Sequence, residues 1–155
     1  MIIIEDTMTL RSIDEFRAML DGMLNAIRTP SVAPQSWQQV VDVLQDMERG
    51  FFASSAGPDG QPWAPLRPYT VQKKGHAIIL RETWELMDSL TKVNESSIRE
   101  FGQATLEFGT QRAWAWLHQD GGRKVPQRMM VGATDEAVDK VLDIIADAAV
   151  RMMFA

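Results

Sequence analysis

Two imidazoles, His76 and His118, are the only side chains of this sequence able to act as near-neutral bases or as imidazole metal ligands, and the chain has no cysteine. Neither histidine has a second ligand at helical spacing, and no cluster follows a metal-binding pattern, so no metal site is expected. Thiol catalysis, zinc–thiolate centres and disulfides are excluded outright, and a reducing interior is permitted. His118 precedes Asp120 closely, which is the nearest approach to a base with an orienting acid. Yet no serine occupies a Gly-x-Ser-x-Gly elbow, and no glycine-rich phosphate loop is present. The expectation is a protein that works by binding, without catalytic residues and without a cofactor. A small hydrolase using His118, its site assembled across distant segments, is the opposing reading.

Binding chemistry is concentrated in two places. Between Gly57 and Leu66 the chain reads Gly-Pro-Asp-Gly-Gln-Pro-Trp-Ala-Pro-Leu, with three prolines around one tryptophan. Pro58 presets a turn, Asp59 can bond its own backbone, and Gly60 can take the left-handed conformation. Pro62 and Pro65 hold the flanks of Trp63 extended. The tryptophan is then either a core anchor for its own loop or an interface anchor for a partner. The second place is Arg123, Lys124 and Arg128, the one basic segment of a chain whose net charge is −5. Residues 1–56 carry −4 and residues 133–155 carry −3, against +2 for residues 113–132. This is either a solvated loop or an electropositive patch that meets an acidic surface of another copy or partner. Trp63, Arg123, Lys124 and Arg128 are therefore the candidate interface residues. Pro62, His118, Gly121 and Pro126 are candidate structural ones. His118 is read as a helix-terminal side chain bonding a backbone carbonyl, and Arg128, held extended by Pro126, as fixing the loop through an ion pair or carbonyl contact.

The elements that must position these residues follow from periodicity. Ser12 and Glu15 form a capping box, and Ile13, Phe16, Leu20, Met23, Leu24 and Ile27 recur at helical steps, which predicts a helix over Ser12–Arg28. A second helix, about Gln35 to Ser54, presents Trp37, Val40, Val41, Leu44, Met47 and Phe51 on one face and Gln38, Asp42, Gln45 and Glu48 on the other. The two are short-linked and expected to form an antiparallel pair. Residues 55–69 are the hinge loop, 70–75 a short helical turn, and Ala77–Leu80 a brief apolar run of open type. Alternation from Ser89 to Thr110 predicts two or three antiparallel strands, reversing at Asn94-Glu95-Ser96 and Gly102-Gln103. Gln111 to Gln119 reads as a compact helix stopped by Asp120-Gly121-Gly122, where glycine supplies the left-handed end, and a mobile loop follows. Thr134 caps a final helix over 134–153 with a stripe of Val138, Val141, Leu142, Ile145, Ala149 and Met152. The whole is one α+β domain over residues 1–155, an N-terminal helix pair and a C-terminal helix packed on a small antiparallel sheet. The opening Met1-Ile2-Ile3-Ile4 meets Glu5 and Asp6 at once, too short a run for a signal peptide or membrane span, so a soluble protein is expected. The acidic balance argues against a nucleic-acid coat, with no direct sequence-specific contact to nucleic acid.

Gly57 to Leu66, Thr70 and Lys74, Ile79-Leu80, Thr83 with Leu86, Ser89-Leu90, Trp114-Ala115-x-x-His118-Gln119-x-Gly121 and Val125-Pro126-x-Arg128 up to Gly132 together resemble the phage virion morphogenesis family, also called tail completion proteins. The resemblance runs from about Phe52 to the C-terminal helix. It departs at Trp84, where the family carries glycine, at Trp114 for a tyrosine, and at Asp120 for an aromatic. A tryptophan takes a positive φ only at a cost, so the turn at Trp84 is the feature this puts in question. What the resemblance implies is a non-enzymatic structural protein of a tailed phage or prophage. It would act in tail completion or head–tail joining as a ring oligomer, contacting head–tail connector or tail proteins, first in the cytoplasm of the bacterial host and then in the tail or neck of the virion. A regulatory or nucleic-acid-binding adaptor is the alternative.

Overall fold

In the computed structural model, which describes residues 34–102 and 105–153, helix α1 (Pro34–Ser54) is the element against which the others are arranged. The helix predicted over Ser12–Arg28, and with it the N-terminal pair, lies outside the described residues. Proline opens α1 at no cost, since the first helical N–H has no partner in any case. Trp37, Val40, Val41 and Phe51 are buried, as the periodicity predicts, and so is Phe52 beside them. Gln45 and Glu48, assigned above to the solvent face, are buried as well, Glu48 at 0% exposure.

Two apolar clusters divide α1. Along its first half, Trp37 and Val40 pack with Leu44, Leu106, Val141, Ile144 and Ile145. The last three lie on α5 (Asp135–Met153), which begins where expected, with Thr134 Oγ1 accepting from Ala137 N at 3.2 Å. At its far end, Phe51 and Phe52 join Trp63, Leu80, Leu86, Leu90, Ala115 and Met130. The inward side of α5 is centred on Ala137 and Ala148, and Val138, Leu142 and Met152 of the predicted stripe are exposed.

Strands β1 (Ser97–Phe101) and β2 (Leu106–Thr110) pair antiparallel, Ser97 opposite Thr110 and Phe101 opposite Leu106. The fold is α+β: five helices and this two-stranded sheet among the described residues. Trp37 Nε1 donates to Gly102 O at 3.2 Å and so ties the hairpin to α1. The predicted strand onset at Ser89 is corrected. Glu85–Thr91 is helix α3, whose Leu86 and Leu90, one turn apart, are 1% and 0% exposed. The β-branched Thr91 is held in the helix by its Oγ1 bond to Met87 O at 2.8 Å. Asn94-Glu95-Ser96 is the turn from α3 into β1 rather than a hairpin. Ala77–Leu80 is loop and turn, preceded by helix α2 (Pro68–Lys74). Helix α4 (Ala115–Gln119) starts later than predicted, because β2 runs to Thr110 and Gln111 N still donates to Ser96 O at 2.8 Å.

Candidate docking cleft

The hinge folds as its residues dictate. Gly60 N donates to Gly57 O and Gly57 N to Gln61 O, both at 2.9 Å, Asp59 Oδ1 accepts from Gln61 N at 3.0 Å, and Gly60 has φ 74°. Trp63 is thereby turned inward. Its ring is 5% exposed and meets Phe52 edge-on, centroids 5.4 Å apart, and Nε1 donates to Met129 O at 2.8 Å. Pro62 lies on the surface and forms a bridge with Ala56.

The segment after α4, expected to be mobile, carries a dense set of hydrogen bonds. Gly121 has φ 74°, and a Cβ there would meet Gln127 N at 2.9 Å, so both conformation and close approach require glycine. Arg128 N donates to His118 O at 2.7 Å. The Arg128 side chain, 5% exposed, reaches back to the hinge, Nε to Ala64 O at 2.8 Å and Nη2 to Pro65 O at 3.3 Å. Gln119, given no role by the sequence reading, clasps the same segment: Oε1 accepts from Met130 N and Val131 N at 2.9 and 3.0 Å, and Nε2 donates to Val131 O at 2.7 Å. A single amide thus substitutes for a strand partner.

Between hinge and loop opens a cleft of 1020 Å³. Residues 64–67 form one wall, Tyr69, Thr70 and Lys74 of α2 the next, residues 82–86 a third, and Trp114, His118 and 122–126 close it. Three aromatic rings stand exposed at its edge: Tyr69, Trp84 and Trp114. Arg67, Arg123 and Lys124 are exposed at its mouth, and none has a carboxylate partner among the described residues. The two acids that line it are already engaged, Glu82 with Lys74 at 3.2 Å and Glu85 with Arg112 at 3.4 Å. The cleft is therefore net positive.

His118 lines this cleft at the end of α4 and stacks edge-on with Trp114, centroids 5.9 Å apart. Its carbonyl receives Arg128 N, but Nδ1 of the ring is buried without a hydrogen-bond partner among the described residues, where a backbone carbonyl was expected. Burial, then Arg128 and Lys74, hold its pKa below the ordinary 6.5, so the ring is neutral at pH 7. No side chain among the described residues orients it as a base. Arg128 is likewise lowered by burial, and its guanidinium faces carbonyls rather than a carboxylate. Of the four interface candidates, Arg123 and Lys124 stand at the cleft mouth, Arg128 is buried behind it, and Trp63 lies in the core beneath. Among the described residues no group of acids and histidines has the makings of a metal site.

Trp84 keeps the glycine-like turn, with φ 62° and ψ −8° at the start of α3. The expected disturbance is absent, and the cost is carried by the tryptophan, whose ring lies 5.4 Å from the Arg81 guanidinium carbon. A left-handed non-glycine residue costs about 1–2 kcal/mol. Trp84→Gly and Trp84→Ala both remove the ring, but only glycine relieves the backbone. The glycine variant is expected to be more stable by about 1 kcal/mol, or about 2–4 °C in melting temperature. Equal melting of the two variants would show that the turn is not left-handed.

Motif residues of the hinge, α2, the 82–86 turn, α4 and the loop after it line this one cleft, and the family model for phage virion morphogenesis matches residues 12–149. The chain belongs to the phage virion morphogenesis family. No curated protein and no solved structure matches it. Among the described residues, no helix is long and apolar enough to cross a membrane.

Proposed function

We propose that within virion morphogenesis this protein acts at tail completion or head–tail joining, as a structural, non-catalytic ring whose subunits meet head to tail. It assembles in the host cytoplasm and remains in the tail or neck, between connector and tail proteins. The observation that supports this is the segregation of charge. Arg67, Arg123 and Lys124 lack carboxylate partners among the described residues, while α5 carries five acids, Asp135, Glu136, Asp139, Asp143 and Asp147. Unlike patches on one subunit propagate contacts around an axis until they close, which an isologous pair does not do. Exposed charges are screened beyond about 8 Å at physiological salt, so the assembly is expected to lose mass as ionic strength rises. An Arg123→Glu, Lys124→Glu variant should scatter light as a monomer at every salt concentration. Equal mass for wild type and variant across the salt series sinks the proposal.

A further inference from the structure

We propose that the outer face of α5 on one copy seats in the cleft of the next. This rests on the head-to-tail reading above and names the two surfaces that meet. Helix α5 is apolar on two sides. Ala137 and Ala148 are buried against the rest of the chain, and Val141 and Ile144 pack on the α1 cluster. Val138, Leu142 and Met152 point away, at 41%, 58% and 43% exposure. They fall within about 80° of arc at 3.6 residues per turn, one stripe bordering the packed side, to which Ile145 belongs through the α1 cluster. Asp135, Asp139, Asp143 and Asp147 follow at four-residue steps, a row that starts at its edge and turns by about 40° per step towards the opposite side of the helix. All four are exposed, and none is in a salt bridge among the described residues. An apolar helix face flanked on one side by aspartates without salt-bridge partners among the described residues matches a cleft edged by exposed aromatic rings and by cations equally unpaired among those residues, in the manner of an amphipathic helix laid in a groove. Trp84, held at φ 62° at the rim, is a strained and half-exposed ring of the kind that marks binding sites.

The occupant is a second copy and not the same one. Helix α5 is packed on the Trp37 end of α1, whereas the cleft is built over the Phe51 and Phe52 end. A 21-residue helix of about 30 Å separates the two ends, so α5 cannot reach its own cleft without leaving its own core.

Sedimentation of full-length protein tests this with two helix variants, Leu142→Arg and Asp139→Lys with Asp143→Lys, and the cleft variant Arg123→Glu with Lys124→Glu. Each is expected to melt like wild type, because every substituted side chain is exposed, and to associate roughly 30-fold more weakly. Mixed with the cleft variant, Leu142→Arg should form a one-to-one heterodimer and nothing larger, since each retains the surface that the other lacks, whereas the Asp139→Lys, Asp143→Lys variant should regain larger assemblies, since its reversed charges meet the reversed charges of the cleft. A wild type that is monomeric at all concentrations overturns the ring and this contact together. An oligomeric wild type with equally oligomeric helix variants, or with no heterodimer from the mixture, overturns this contact and leaves the ring. Lowered melting of Leu142→Arg with association intact shows the stripe to be covered by the chain's own residues, and it too overturns the contact.

Discussion

Trp63→Ala is expected to lower stability by about 3–5 kcal/mol, the usual cost of deleting a buried large aromatic, and the melting temperature by on the order of 10 °C. The ring is 5% exposed, it packs edge-on against Phe52, and its N–H donates to Met129 O across 66 residues of sequence. The variant therefore opens a cavity in the Phe51–Met130 cluster and leaves Met129 O without its donor. It also frees the loop that Arg128 and Gln119 hold, so the cleft loses its shape and assembly fails as a consequence. Trp63→Phe separates the two parts: most of the packing survives, and the lost bond alone costs about 1–3 kcal/mol. Denaturant melts of both variants beside the wild type read this directly. Unchanged melting of Trp63→Ala together with lost association would show that the ring serves a partner instead of the core.

Local signals in the sequence carried as far as local physics reaches. The 57–60 turn, the Thr134 cap and the apolar face of α1 each depend on residues a few positions apart, and each is found where its chemistry puts it. Ser89–Thr91 is helical although β-branching and polar alternation favour a strand, because the one-turn spacing of Leu86 and Leu90 lets both be buried from one face of a helix. Glu48 was placed with the solvent face by its charge, although it stands two turns after Val41, which shares its side of the helix and is 0% exposed. That spacing places Glu48 on the buried face whatever its charge. Gln119 and the convergence of hinge, turn and loop on one cleft were not legible, because their contacts join segments that only the tertiary fold brings together. The exposed second face of α5 is intermediate: the stripe was visible, but which of two apolar sides faces α1 depends on packing that periodicity does not encode.

Glu48→Gln is expected to stabilise the protein most at alkaline pH and hardly at all near pH 4. The carboxyl is 0% exposed, neither oxygen has a hydrogen-bond partner among the described residues, and burial pushes its pKa from 4.5 to about 8. Since the folded pKa lies above the unfolded one, the folded chain keeps a proton that the unfolded chain releases. Stability is then greatest below pH 4.5, falls as pH rises towards 8, and is level beyond it. A window of about 3.5 pH units corresponds to on the order of 5 kcal/mol, a large share of what a domain of this size possesses. The amide has nearly the same shape and no charge to desolvate, so the variant should lack this fall. His118 acts in the opposite sense, since a lowered pKa withdraws stability as pH drops below 6.5, and it is present in both proteins. The difference between wild type and variant, measured by denaturant unfolding at pH 5 and pH 8, isolates the carboxyl. Parallel pH profiles would mean that Glu48 has a partner or solvent in the folded protein, and that the fall belongs to another group.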